Sequence, residues 1–286
     1  MVVFALPSSL RYAEMANPPS HQPLQGLSPR EVDRIVAESF VEQVEYHAEL
    51  DSTNSRALQI AHEETSCGGV TLVFAESQTA GRGRGENRWW SGPGALTFSL
   101  LLPGEHLSLS TGEWPTTSLI AGLAVGEAIG QFVSGETAMV KWPNDVYLRG
   151  RKVCGILVEA TSGARGMLAI GIGVNVNNSL AEAPDELASS AIAVCDVARC
   201  EVSRVDLLIA ILQRLEKYLR ELGSGDIRWQ EHWRKRCLLT GRAVQLDAHG
   251  GRLVGICRGI DGDGALVLET EAGLTRCLSG VIAHFE

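Results

Sequence analysis

The chain has 286 residues, 45% of them apolar and 21% charged, which is too apolar for an unfolded chain and, at about 150 residues per domain, suits one large domain with a small one beside it. No apolar run reaches the roughly 18 residues of a membrane span, which speaks against an integral membrane protein. Lysine and arginine total 25 against 34 aspartates and glutamates, a net charge of −9, and this disfavours a basic nucleic-acid-binding domain.

Residues 1–27 carry Pro18-Pro19 and Pro23 without periodicity and are expected to form a flexible tail, with Met15 an alternative start. The N-terminus has only a short apolar run and no early basic residue, unlike a secretory signal, so a cytoplasmic protein is expected. Ser28-Pro29-Arg30-Glu31 spells a helix start with a capping box, and Val32, Ile35, Val36 and Phe40 continue it at helical spacing. Val44, Tyr46, Ala48 and Leu50 alternate with polar residues and predict a strand; a helix over 55–65 and a buried strand over 70–75 follow. A strand over 95–102, a helix face from Leu119 to Ala128 ending near Gly130, and a strand over 139–142 come next. Two hairpin arms, 145–148 and 153–160, flank Arg149-Gly150-Arg151-Lys152. Residues 167–175 form a glycine-interrupted strand. Ser203, with Asp206 three residues on, caps a long amphipathic helix that Gly223-Ser224-Gly225 ends, and Asp226 opens a further helix to about 237. Beyond 238 the pattern changes to short strand-like runs between turns at 248–251, 261–264 and 271–273, the signature of a small β-barrel.

Three stretches carry chemistry. Glu76 to Ser91, with Gln78 near its start, alternates glycines and arginines (Gly81-Arg82-Gly83-Arg84-Gly85) before Trp89-Trp90. Glycines let the backbone approach a ligand, guanidinium forks suit phosphate or carboxylate, and the tryptophans can wall a ligand from water; a solvated surface loop is the plainer reading. The spacing fits neither a Walker A nor a dinucleotide fingerprint. Lys141-Trp142-Pro143-Asn144-Asp145 places a lysine at the end of an apolar strand, where burial is costly without an anion, although Pro-Asn-Asp is also simply a good turn. Gly171-Ile172-Gly173-Val174-Asn175-Val176-Asn177 offers close backbone approach with asparagine amides at its end, although such glycines also mark bulges. Histidines 21, 47, 62, 106, 232, 249 and 284 show no metal-ligand spacing, so no fixed metal site is expected. The seven cysteines form no C-x-x-C pair, and their odd number argues against a disulfide framework. No G-x-S-x-G elbow occurs.

Taken in order, Asp51-Ser52-Thr53-Asn54, Gln78 with Ala80-Gly81-Arg82-Gly83-Arg84 and Trp89, Lys141-Trp142-Pro143-Asn144-Asp145, Gly155-Ile156-Leu157-Val158-Glu159 and Gly171 to Asn175 resemble the biotin–protein ligase (biotin–[acetyl-CoA carboxylase] ligase) family, over residues 44–286. The resemblance implies an α+β fold: a mixed β-sheet with helices on one side, like class II aminoacyl-tRNA synthetases and the biotin–lipoate ligases, in a catalytic domain over 28–237, then an SH3-like β-barrel over 238–286. It implies MgATP-dependent activation of biotin to biotinyl-5′-AMP and transfer to a lysine of the biotin carboxyl carrier domain of acetyl-CoA carboxylase or a related carboxylase. It also implies site roles. Ser52, Thr53, Asn54 and Gln78 would line the biotin site; Arg82, Gly83 and Arg84 would form a loop over biotin and adenylate. Lys141 would meet the carboxylate and the reacting phosphate, with Arg82 as the second catalytic cation. Gly155 would flank biotin, and Arg84, Trp89, Lys141 and Asn175 would bind the nucleotide.

Two departures stand out. Gly85-Glu86 occupies positions where family loops often carry a further basic residue and a glycine. Only about 43 residues precede the first strand, with one helix rather than a winged helix-turn-helix, so a ligase without repressor activity and without a nucleic-acid partner is expected. Exposed sheet edges would allow a homodimer. Two other readings are a lipoate or octanoate ligase, which shares the fold and the lysine, and a non-catalytic biotin sensor, which would need a DNA- or partner-binding segment.

Overall fold

The structure, a computed structural model, describes residues 26–63, 69–103, 112–161, 166–248 and 250–286. The expected tail up to residue 25, Met15, the last residues of the helix expected to reach 65, Cys67, His21, His106 and His249 lie outside them.

The chain opens with α1 (Pro29–Glu38), capped as anticipated: Glu31 Oε2 accepts from Ser28 N at 2.8 Å while Ser28 Oγ accepts from Glu31 N. Val32 and Ile35 bury its inner side, so the helix belongs to the core. A parallel unit follows: β1 (Gln43–Leu50), α2 (Thr53–Glu63) and β2 (Thr71–Gln78). The helix begins at Thr53, earlier than expected, so Thr53 and Asn54 sit in its first turn rather than ahead of it. Then come β3 (Leu96–Pro103), α3 (Trp114–Ile129), β4 (Met139–Lys141), β5 (Asp145–Leu148), β6 (Arg151–Ala160) and β7 (Met167–Val174). Arg149 and Gly150 alone make the β5–β6 turn, at φ 50° and 74°, the backbone of a two-residue hairpin whose twist matches its strands. The expected four-residue turn therefore contracts, and Arg151 and Lys152 join the strand.

These strands form one seven-stranded mixed sheet in the order β1-β2-β3-β7-β6-β5-β4, in which β1 and β2 are parallel and every other neighbouring pair is antiparallel. Two short helices unforeseen in the sequence, α4 (Asp185–Ser190) and α5 (Val194–Ala198), lead to α6 (Arg204–Gly223) and α7 (Arg228–Arg236). Ser203 caps α6 through Asp206 N, and Asp226 accepts from Arg228 N at the start of α7.

Strand alternation divides the sheet's residues. Leu72, Phe74, Leu96, Phe98, Leu100, Ile170, Ile172 and Ile156 pack into the main core with α1, α3, α6 and α7. Thr97, Ser99, Gly171, Gly173, Gly155 and Leu157 alternate with them and face the other way. On that second face α2 covers one part only, where Ala57 and Ile60 pack on Val73, Leu101, Met167 and Ala169. The remainder is left open for a ligand.

A five-stranded antiparallel sheet follows, built from β8 (Ala243–Ala248), β9 (Gly251–Ile260), β10 (Leu266–Thr270), β11 (Gly273–Cys277) and β12 (Val281–Phe285) in the order β11-β10-β9-β8-β12. The long β9 pairs first with β8 and then with β10, the curl of an SH3-like barrel. At its bend a Cβ on Gly255 would lie 2.5 Å from Glu269 O, so only glycine fits. Val244, Leu246, Leu266 and Leu268 continue the main core, and Trp142 Nε1, Gln230 and Thr116 all donate to carbonyls of the 262–264 turn.

Candidate active site

The open part of the second face floors a cleft of about 290 Å3, near the lower end of ligand-pocket sizes, about 300 Å3. Every site residue anticipated from sequence lines it except Asn175: Ser52, Thr53, Asn54, Gln78, Arg82, Gly83, Arg84, Trp89, Lys141 and Gly155.

At one end a polar network links the start of α2 to the sheet. Ser52, Thr53 and Asn54 are buried. Gln78 Oε1 accepts from Thr53 N at 2.7 Å and from Thr53 Oγ1 at 3.1 Å. Ser99 Oγ lies 2.8 Å from Thr53 Oγ1 and 2.6 Å from Asn54 Oδ1, and Asn54 Nδ2 donates to Leu157 O at 3.1 Å and to Glu159 Oε2 at 2.8 Å. The Asn54 amide is thus fully used in holding the floor. Gln78 Nε2 and the Ser52 hydroxyl proton have no acceptor among the described residues and are free to donate to a ligand. Ser99 and Glu159 complete this network without being assigned to the site from sequence: Glu159 ends the Gly155–Glu159 motif but has no role assigned there, and for Ser99 the available signal is a hydroxyl alternating with Leu96, Phe98 and Leu100 in a buried strand.

The glycine–arginine stretch is a small hairpin. Gly83 N donates to Asn87 O, Trp89 N to Gly81 O, and Arg82 bridges Arg88. Gly85 takes a positive φ of 66° at its tip. Arg82 makes a two-point ion pair with Glu159, at 2.9 and 2.6 Å. Arg84 Nη1 donates to Gly280 O at 2.8 Å and so reaches the C-terminal module. Glu86 is exposed and does not line the cleft. Trp89 lies across the glycines of the floor: a Cβ on Gly173 would sit 2.3 Å from its ring, and one on Gly155 3.4 Å.

The third motif forms the opposite wall. Lys141 ends β4, pairs with Asp145 across the hairpin, and shares its face with Tyr147, while Val140 and Val146 turn into the core. The intervening turn is held on several sides: Ser118 Oγ donates to Pro143 O, Asn144 Nδ2 to Ile156 O at 2.8 Å, and Trp142 Nε1 to Gly264 O. Burial pushes the Lys141 ammonium below its ordinary value, Asp145 opposes this and Lys152 reinforces it. Asp145 forms its ion pair with Lys152, at 2.6 Å, which leaves Lys141 without a salt-bridge partner among the described residues.

Asn175 behaves differently. Its Oδ1 accepts from Asn178 Nδ2 at 3.0 Å and its backbone ties β6 to the start of α5. It shapes the end of β7 and is not part of the cleft wall. The C-terminal module, by contrast, contributes Val281 and Ile282. Among the described residues no cluster of three His, Cys, Asp or Glu side chains is placed to hold a metal ion, and no helix is long and apolar enough to cross a membrane.

Among the described residues, the cleft is lined by Arg82, Arg84, Arg88, Lys141 and Lys152 against the one carboxylate of its lining, Asp145, in a chain that is acidic overall. Such a site suits an anionic ligand, or two anions brought together.

Residues 47–177 match the biotin/lipoate A/B protein ligase family, and residues 239–284 match the biotin protein ligase C-terminal domain. Similar proteins include the biotin–[acetyl-CoA-carboxylase] ligase of Mycobacterium tuberculosis, 32% identical over 85% of this chain and 89% of that protein, and that of Paracoccus denitrificans, 34% identical over 79% and 94%. The bifunctional ligase/repressor BirA of Bacillus subtilis is 33% identical over 83% of this chain and 72% of its own length. Among solved structures, the biotin protein ligase from Aquifex aeolicus in complex with biotin and ATP superposes with a TM-score of 0.70 at 30% identity, over 85% of this chain and 97% of that one. The chain belongs to the biotin–protein ligase family.

Proposed function

We propose that the protein activates biotin with ATP to biotinyl-5′-AMP and transfers the biotinyl group to a lysine of a biotin carboxyl carrier domain, that of acetyl-CoA carboxylase or a related carboxylase. The observation that carries this is the convergence, in one cleft, of an amide–hydroxyl floor, an arginine hairpin and an unpaired, partly desolvated lysine.

In the first half-reaction a biotin carboxylate oxygen bonds to the α-phosphorus of ATP, the bond from that phosphorus to the bridging oxygen breaks, and pyrophosphate leaves. Two anions must approach before any bond forms, so cations in a water-poor site are the main requirement. Lys141, on the cleft wall, would bridge carboxylate and α-phosphate, and Arg82 and Arg84 would supply further positive charge from the hairpin. Magnesium enters with the nucleotide as MgATP. Gln78 Nε2 and Ser52 Oγ have donor capacity to spare and suit the carbonyl oxygen of a cyclic urea, while Thr53 and Asn54 fix their geometry. Trp89, its ring against Gly155 and Gly173, is suited to cover the adenylate. In the second half-reaction a carrier lysine amine attacks the acyl carbon and AMP departs. Between the two steps the mixed anhydride must be kept from water, a task suited to the hairpin closing over it.

Mass spectrometry of the protein incubated with MgATP and equal amounts of biotin, lipoate and octanoate tests the reading. Biotinyl-AMP alone is the expected product, followed by a biotinylated carrier lysine when a carrier domain is added. Lipoyl- or octanoyl-AMP would reassign the substrate, and bound biotin without adenylate would make the protein a sensor.

A further inference from the structure

We infer that Phe285 of the C-terminal strand β12, together with Tyr147 of β5, forms an aromatic bracket that positions the Lys141 ammonium for adenylation. The inference rests on the role proposed above for Lys141 and adds a positioning residue from the other end of the chain.

Lys141 Nζ lies 5.2 Å from the centre of the Phe285 ring and 5.5 Å from that of Tyr147. Both distances are inside the roughly 6 Å at which a ring face attracts a cation. Both rings are fixed by strands. Tyr147 is opposite Met139 on one side and Lys152 on the other. Phe285 is opposite Val244, and the next residue's N–H donates to Ala243 O at 3.1 Å. Arg242 approaches the Phe285 ring as well, with its guanidinium 5.6 Å from the ring centre.

The contrast with Lys152 shows what the bracket is suited to do. Lys152 is held by a carboxylate, Asp145, and its charge is neutralised there. A lysine held in that way would have to exchange its resident carboxylate for the incoming anions, as Arg82 must exchange Glu159. A ring holds an ammonium through its quadrupole and leaves the net charge available. Without any such contact the half-buried Nζ would have only the nearby Asp145, itself paired with Lys152, to offset its desolvation. Among the described residues, the charged and titratable groups that act on or near Lys141 are Asp145, Lys152, Tyr147 itself and, against the Phe285 ring, Arg242. Burial, with the nearby Asp145, pushes the Tyr147 hydroxyl up to about 12, so its ring is neutral wherever Lys141 is charged. The same strand that carries Phe285 places Val281 and Ile282 in the cleft, so the module would influence the first half-reaction through the lysine as well as through the wall.

The test is pyrophosphate release from biotin and MgATP by the full chain, measured as kcat, KM and pH profile for Phe285→Leu, Phe285→Tyr, Tyr147→Leu and Tyr147→Phe, with Lys141→Ala alongside. Each leucine variant is expected to lower kcat about tenfold and to move the alkaline limb down by about half to one pH unit, since the ring stabilises the charged amine. The ring-keeping variants should restore both. Loss of packing alone would lower the melting temperature of Phe285→Leu without moving the limb, and that result overturns the bracket, as does equal impairment of Phe285→Tyr. If Phe285→Leu does not fold, the Tyr147 pair decides by the same criterion. Wild-type adenylation by Lys141→Ala would remove the lysine's role itself; a slow Lys141→Ala beside unaffected leucine variants would remove only the bracket.

Discussion

Arg82 and Glu159, 77 residues apart in sequence, meet in a two-point ion pair across the mouth of the cleft, and the same carboxylate accepts from Asn54 on the floor. One acidic side chain therefore joins the hairpin to the sheet. The pair is partly exposed, with side-chain exposures of 42% and 26%, so its net worth is at most about 1 kcal/mol. A carboxylate or phosphate entering the cleft can displace it at small cost.

Glu159→Gln keeps an acceptor for Asn54 but weakens the hold on Arg82. The ligand-free variant should expose its hairpin more often, and trypsin should cut after Arg82, Arg84 or Arg88 about fivefold faster, the factor equivalent to roughly 1 kcal/mol. Biotin with MgATP should restore protection. An unchanged cleavage rate would show that the hairpin is held by its own hydrogen bonds and by Arg84 on Gly280.

Lys141→Ala should slow biotinyl-adenylate formation about 10²–10³-fold, the usual scale for one preorganised charge-stabilising group. The pH dependence has a definite sign. Burial lowers the lysine below its ordinary value, and the active form is the protonated one, so activity should fall on the alkaline side at a pH lower than that of an ordinary lysine. The same shift makes the folded state bind fewer protons than the unfolded one between the two pKa values, so this residue's contribution to stability rises with pH there. A stopped assay of pyrophosphate release from pH 7 to 10 checks the first statement.

Much of this was legible in the sequence, for local reasons. Ser28, Ser203 and Asp226 announce helix starts by chemistry confined to a few residues, and the alternation in β1 and the β8–β12 turns needs no distant partner. The helices α4 and α5 were hidden because five or six residues carry too little periodicity to register. The insertion of β7 between β3 and β6 is a long-range pairing with no local signature. The site divides in the same way. Lys141 and the arginine hairpin stand out as motifs, whereas Val281 and Phe285 acquire meaning only when the fold brings β12 beside the cleft. Asn175 stands at the end of a motif, and the fold adds what the motif does not show, that its Oδ1 accepts from Asn178.

Acid stability should report on the strand that leads to the floor. Burial would raise Glu45, but hydrogen bonds from His47 and Arg56 outweigh it and hold the carboxyl at about 2. Its ordinary value is about 4.5, so the contribution is present above that pH and is lost as the pH falls from about 4.5 towards 2. Allowing for partial exposure, it is about 2 kcal/mol. Glu45→Gln should lower the melting temperature at pH 7 by several degrees and flatten its decline between pH 5 and 3. Because Arg56 lies on the helix that carries Thr53 and Asn54, a modest weakening of biotin binding should accompany it.

The two floor glycines should separate the two ligands. A Cβ on Gly171 would lie 2.4 Å from Asn54 Oδ1, and Asn54 cannot retreat without giving up Ser99, Leu157 and Glu159. Gly171→Ala should therefore distort the biotin end of the cleft and weaken biotin binding about 10- to 100-fold, the effect of roughly 1–3 kcal/mol of overpacking. A Cβ on Gly173 meets the Trp89 ring instead, at 2.3 Å. That ring belongs to the hairpin, and its indole N–H has no partner among the described residues, so it can swing aside with the loop. Gly173→Ala should leave biotin affinity within about threefold of wild type and raise the KM for ATP by about tenfold, the loss of one stacking contact. Isothermal titration with biotin and steady-state kinetics in ATP distinguish the two variants. Equal losses in both ligands for both glycines would mean that Trp89 serves the biotin side as well.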